Sequence, residues 1–220
     1  MADFLMGLLK STVEYQNWGY NALTFSAIGT FLFTFLQMWS FGQQNKRIWS
    51  SRSGEAVSVP MFSYWLFYWT AFLIYGVFGK SIAIVFNSLM FLTTIPILLG
   101  LYKFKGFVRR EKILFGIFSL IPVAMFYCPQ AQKPALLLAL LMGVLFSIAL
   151  QPYEIWQKKS AGSVEPKLLV VFAVTAVFWF AYGIITKDIP LMIFNPLAIV
   201  VLLITLGLWR KYRKHEKGEG

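Results

Sequence analysis

The sequence predicts an all-α integral membrane protein with seven transmembrane helices, built as two parallel three-helix repeats joined by a linker helix. Three observations lead there. The 220 residues are 58% hydrophobic and only 13% charged, and the apolar residues form long unbroken blocks that suit a bilayer and not a soluble core. The basic residues fall almost wholly between those blocks. The second half of the chain repeats the order of the first.

Residues 1–19 contain the apolar group Phe4, Leu5, Met6, Leu8 and Leu9, without a basic leader or a small-residue cleavage pattern. They read as an amphipathic lead-in at the membrane interface and not as a cleaved signal. Seven apolar segments follow at 20–41, 61–78, 81–102, 113–128, 134–156, 168–186 and 189–209. At about 1.5 Å per residue each is long enough, or nearly so, to cross a hydrocarbon layer. The fourth is the shortest and carries Pro122. The resulting division is a lead-in at 1–19, a first repeat at 20–105, a linker at 106–133, a second repeat at 134–211 and a basic tail at 212–220.

Alternating these segments across a membrane puts sixteen of the 20 basic residues on one side, leaving Lys10, Lys80, Lys133 and Lys187 on the other. By the positive-inside rule the amino terminus is outside and the carboxyl terminus cytoplasmic, in the cell membrane. The formal charge of +11 is accounted for by topology and by contacts to membrane lipids, so nucleic acid is not a partner. Cys128 has no cysteine to pair with and His215 stands alone in the tail. No metal site, cofactor or redox function follows from them. The chain also lacks a nucleophile–base pair and a glycine-rich phosphate loop, which argues against an enzyme.

The repeat is visible in matched stretches. Ile48-Trp49-Ser50-Ser51-Arg52-Ser53-Gly54 parallels Ile155-Trp156-Gln157-Lys158-Lys159-Ser160-Ala161-Gly162, and Pro60 and Pro166 follow. Tyr75-Gly76 matches Tyr182-Gly183, Lys80 matches Lys187, and Phe86-Asn87-Ser88-Leu89 matches Phe194-Asn195-Pro196-Leu197, with a one-residue length difference assigned to the outer loop. A three-helix unit ends on the opposite side from its start, so the segment 113–128 must return the chain before a parallel copy can insert. Parallel repeats imply a cleft between them, where transporters hold substrate near the midplane. An amide in hydrocarbon is costly unless it has a partner or faces a cavity. Asn87 and Asn195 therefore point to one shared polar site, the alternative being structural glue between helices.

At these residues the chain resembles the SWEET family of sugar facilitators, within the wider PQ-loop group, from residue 20 to about 213. The resemblance implies substrate contacts at Asn87 and Asn195 and a pocket aromatic at Trp179. Phe72 takes the matching position in the first repeat, with simple packing as its alternative. It also implies an outer gate at Tyr75, Tyr182 and Asp188, where the residues alone read the two tyrosines as an interfacial belt, and helix-bending prolines at Pro60, Pro152 and Pro166. Gln43-Gln44-Asn45 stands where the family's first-helix proline is expected, so the two halves should bend unequally.

The expected activity is passive, bidirectional uniport of a neutral mono- or disaccharide by alternating access. Amides suit hydroxyl groups and aromatic faces suit the C–H face of a sugar ring. No Asp or Glu lies in the middle of a predicted span: Glu154 is near a cytoplasmic end and Asp188 is in an outer turn. The rivals are a proton-coupled amino-acid or cystine-type exporter, which should carry buried acids, and a membrane receptor of the same fold, which should carry a charged cavity. One chain contains both repeats, so a homo-oligomer is not required for transport.

Overall fold

The computed structural model describes residues 7, 9–52, 54, 57–159 and 166–216. Among these every regular element is helical. A short α1 (Val13–Gln16) precedes α2 (Ala22–Ser51), α3 (Val59–Phe78), α4 (Ile82–Ser88) and α5 (Met90–Phe104). Then come α6 (Arg109–Phe118), α7 (Leu120–Tyr127), α8 (Lys133–Lys158), α9 (Pro166–Thr186) and α10 (Ile189–Glu216). Six helical segments are long and apolar enough to cross a membrane: Ala22–Ser50, Val59–Phe78, Ile82–Phe104, Gln130–Ala149, Leu169–Thr186 and Ile189–Arg213. The fourth predicted span is formed by α6 and α7, which part at Ser119. Pro122 has no N–H for the Phe118 carbonyl four residues earlier and its ring crowds that turn, so the helix breaks there.

The chain divides into two compact units, Met1–Leu137 and Leu138–Gly220. In the first, α3 is the centre, packed against α4, α5, α6 and α7, while α4 and α5 also touch α2. Aromatic side chains fill the seams. Phe41 of α2 stacks on Trp65 of α3 at 5.5 Å between ring centres. The linker helices pack on α3 through Phe115 against Phe67 at 4.9 Å and Phe118 against Tyr64 at 5.2 Å. On α5, Gly100 leaves room for Trp49 of α2, whose indole N–H donates to the Pro96 carbonyl at 3.1 Å. In the second unit α9 and α10 form a closely packed hairpin.

The α3–α4 and α9–α10 turns are built alike. The N–H of Ser81 donates to the Gly76 carbonyl at 3.0 Å, and that of Asp188 to the Gly183 carbonyl at 2.9 Å. Lys80 and Lys187 both take the left-handed conformation, with φ of 52° and 57°. Ser81 and Asp188 then cap the following helix, accepting from the N–H groups of Ile84 and Leu191. These turns match residue for residue, which corrects the length difference that the sequence reading put in the outer loop. The extra residue falls inside the helix, after the contacts of Ile84 and Leu191. In the first repeat that helix is interrupted at Leu89, where the Leu92 N–H reaches back only three residues, to the Leu89 carbonyl.

The three prolines expected to bend helices are not alike. Pro60 lies in the first turn of α3 and Pro166 opens α9, positions where a missing N–H breaks no helical bond. They set where helices begin. Pro152 is inside α8, as Pro96 is inside α5 and Pro196 inside α10, so the interior bend points lie on other helices than a pairing of Pro60 with Pro166 suggests.

The paired glycines explain the repeated Tyr-Gly. A Cβ on Gly76 would come within 2.7 Å of Ile84 Cγ2 and 2.9 Å of the Val85 nitrogen, and one on Gly183 within 2.9 Å of Leu191 Cβ. Gly76→Ala and Gly183→Ala should each cost about 1–3 kcal/mol through overpacking. Gly42, with nothing within 4 Å of its Cβ position, should gain up to about 1 kcal/mol as alanine. Thermal unfolding of the three variants in detergent checks this order.

Candidate functional site

In the first unit the candidate residues occupy one face of α3 and the start of α4. Tyr68, Phe72 and Tyr75 follow at spacings of four and three, which align on a helix. Their rings are nearly parallel: Phe72 lies 5.7 Å from Tyr68 and 6.5 Å from Tyr75. Phe72 is buried and Tyr75 half-buried. Asn87 is 2% exposed, and its amide donates to Thr34 Oγ1 at 2.7 Å and Gln37 Oε1 at 3.2 Å. Thr34 gives its own proton to the Thr30 carbonyl at 2.7 Å, which leaves its lone pairs for Asn87. Both NH₂ protons of Asn87 are thereby held, while its Oδ1 accepts no hydrogen bond among the described residues.

In the second unit Trp179 and Tyr182 are buried on α9, ring centres 5.6 Å apart and edge to face. Thr175, one turn earlier, is buried too. Asn195 is 3% exposed and donates to the Leu191 carbonyl of its own helix at 2.8 Å. The two amides are thus held differently. Counting 107 residues on from Thr30, Thr34 and Gln37 reaches Leu137, Leu141 and Val144, so the polar face of α2 has no counterpart in α8. Asp188, expected at an outer gate, is the residue that caps α10.

Several polar groups escaped the sequence reading. The buried indole N–H of Trp69 has no partner among the described residues, and its ring lies 6.0 Å from Phe72. A buried donor without a partner is costly, so this nitrogen is a point where a ligand oxygen is favoured. Sequence gave only an aromatic among many. Thr34 and Gln37 were equally hidden, because a threonine in an apolar run satisfies itself on its own helix without changing the pattern.

Glu14 is the other. It is 2% exposed, although it sits in the lead-in. Its carboxylate accepts from Ser81 Oγ at 2.8 Å and from the N–H groups of Ile82 and Ala83, both at 3.0 Å. The Val13 N–H also donates to the Lys80 carbonyl at 2.9 Å. The described part of the lead-in is therefore tied to the N-terminal end of α4, the helix that carries Asn87. A buried carboxylate needs such donors, and the positive end of a helix adds to them. Lys133, counted in the sequence as an outer-side charge, is buried as well. Its ammonium donates to the Met125 and Phe126 carbonyls at 2.6 and 3.2 Å and sits 4.2 Å from the Phe78 ring centre, closing the C-terminus of α7. No group of three potential metal ligands occurs among the described residues.

Residues 136–217 match the family model described as a sugar efflux transporter for intercellular exchange. The match covers the second repeat and less than half of the chain. The structure is also similar to that of a eukaryotic SWEET transporter, with a TM-score of 0.71 over 88% of this chain and 97% of that one, at 16% identity. The chain has the SWEET fold. No curated protein matches its sequence. The family match and the SWEET fold both support the resemblance carried by the repeated motifs.

Removing the Glu14 charge isolates its contribution. Glu14→Gln should destabilise the N-terminal end of α4 by about 1.5–3 kcal/mol, the range for hydrogen bonds to a charged group. Hydrogen–deuterium exchange over residues 82–88 reads the effect; unchanged protection there would separate the lead-in from the stability of the site helix.

Proposed function

We propose that this protein is a passive, bidirectional sugar uniporter working by alternating access. The observation that carries the proposal is the repeated arrangement itself: in each unit, membrane-length helices of the SWEET fold bury an aromatic pair one turn apart and a neutral carboxamide. The description of the matched family, sugar efflux, agrees with this.

The chemistry fits a polyhydroxy solute. With its NH₂ group held by Thr34 and Gln37, Asn87 offers an acceptor oxygen to a sugar hydroxyl. Asn195 offers the same group from the second repeat, and Trp69 adds a donor. Trp179 and Phe72 supply apolar faces for the C–H side of a ring. Tyr75, Tyr182 and Asp188 are proposed to close the outer gate, and the segments at Pro60, Pro152 and Pro166 to move at the inner one. Among the described residues the buried carboxylate is Glu14, and it is engaged at a helix end. That supports transport without proton coupling, because a proton-driven carrier needs a group whose charge changes within the membrane. A few hydrogen bonds and one stacked ring correspond to about 4 kcal/mol and a millimolar affinity. The amino terminus is proposed to be outside and the carboxyl terminus cytoplasmic.

Uptake of radiolabelled glucose and sucrose into proteoliposomes without an ion gradient tests the proposal. Saturable equilibration of one sugar is expected, falling at least tenfold in Asn87→Ala, Asn195→Ala and Trp179→Ala, which is about 1.4 kcal/mol or more of lost interaction for each. Accumulation against a gradient when a pH difference is imposed would overturn uniport, and no uptake of either sugar by folded protein would overturn the substrate class.

A further inference from the structure

A groove of about 510 Å³ runs along the first unit between α3, α5 and α6, apart from every residue assigned to the sugar site. Its walls are apolar. Leu66 comes from α3, Ile95, Leu98, Leu99 and Tyr102 from α5, and Phe115 from α6, with Phe107 from the loop between α5 and α6. The α5 residues form a stripe at spacings of three, one and three, spanning about 10 Å along the axis at 1.5 Å per residue. Leu99 and Tyr102 are well exposed, so the groove is open along its length.

One end of the groove is basic. Lys112 is a lining residue, exposed at the start of α6, and no carboxylate pairs with it among the described residues. Arg109, one turn earlier on the same helix, falls on the same face by helical spacing and is also exposed. Two neighbouring cations are engaged elsewhere. Lys105 donates to the Val57 carbonyl at 3.0 Å and lies 4.0 Å from Glu111, whose other carboxylate oxygen accepts from the Val108 N–H. Lys103 is held over the rings of Trp49 and Phe104. Among the described residues, Lys112 and Arg109 thus carry charge at the groove's mouth that no carboxylate takes up, as does Arg110 beside them.

We propose that this groove is a binding site for an anionic phospholipid, with an acyl chain along the α5 stripe and the phosphate on Lys112 and Arg109. The basic end belongs to the side that the Lys and Arg distribution places at the cytoplasm, where anionic headgroups concentrate. An apolar trough ended by unpaired positive charge matches a lipid in both parts. A soluble phosphate would use only the mouth, and a neutral lipid only the trough. This assignment does not depend on the sugar reading.

Native mass spectrometry of the delipidated full chain, titrated with phosphatidylglycerol or phosphatidylcholine, tests it. The phosphatidylglycerol adduct should exceed the phosphatidylcholine adduct by about fivefold or more, the equivalent of about 1 kcal/mol per basic residue near an anionic headgroup. Replacing Lys112 and Arg109 together by alanine should remove that preference, and Lys112→Arg alone should retain it. Leu99→Trp, which fills the trough without touching the charge, should weaken both adducts, and Lys211→Ala in the basic tail should change neither. Thermal unfolding verifies that each variant is folded. Equal adducts of the two lipids, a preference that survives the combined Arg109→Ala and Lys112→Ala substitutions, or adducts undiminished by Leu99→Trp would overturn the assignment. So would displacement of the lipid by excess glycerol 3-phosphate, which would make the site one for a soluble anion.

Discussion

Polar groups buried away from water must find partners inside the protein, and that constraint organises this structure more than any single apolar contact. Helices made almost wholly of apolar residues have little sequence-specific reason to prefer one neighbour over another in lipid. The buried amides, hydroxyls and charges supply that reason. Asn87 ties α4 to α2 through Thr34 and Gln37, Glu14 ties the lead-in to the start of α4, and Lys133 ties α8 to the end of α7. Each joins segments that hydropathy alone would leave free to slide.

The two repeats meet the constraint in different ways. In the first, the amide is fastened to a neighbouring helix with a polar face; in the second, it folds back on its own backbone at Leu191. Asn195 can release that bond with little loss, since a backbone carbonyl in a helix already has an N–H partner. Asn87 would have to give up two side-chain partners to turn. The first repeat therefore presents a preset acceptor and the second an adjustable one.

Most of the fold was legible in the sequence because its signals are long. Apolar blocks of twenty residues, a strong bias of basic charge and a repeat anchored by Tyr75-Gly76 and Tyr182-Gly183 do not depend on atomic detail. The elements that escaped depend on single atoms. The break at Ser119 follows from one missing N–H, and the shift of the extra residue from the outer turn into the helix becomes visible only when the Ser81 and Asp188 caps are seen to match. At the site, Asn87, Asn195, Trp179 and Phe72 stood out by residue type and position in the repeat. Thr34, Gln37 and the Trp69 nitrogen did not, because partnership in three dimensions leaves no periodic trace. Glu14 leaves no such trace either, because it lies outside every predicted span.

The Glu14 clasp also bears on how the chain is assembled during synthesis. Its partners lie 67 to 69 residues further along, beyond two complete membrane-length helices. When residue 14 emerges from the ribosome, nothing yet exists for its carboxylate to hold. Only when the third span arrives does the clasp close, so Glu14, made before α2 and α3, is fixed in place after both. Insertion of α2 and α3 can therefore proceed with that segment unfastened, and the register of α4 is locked after both have arrived.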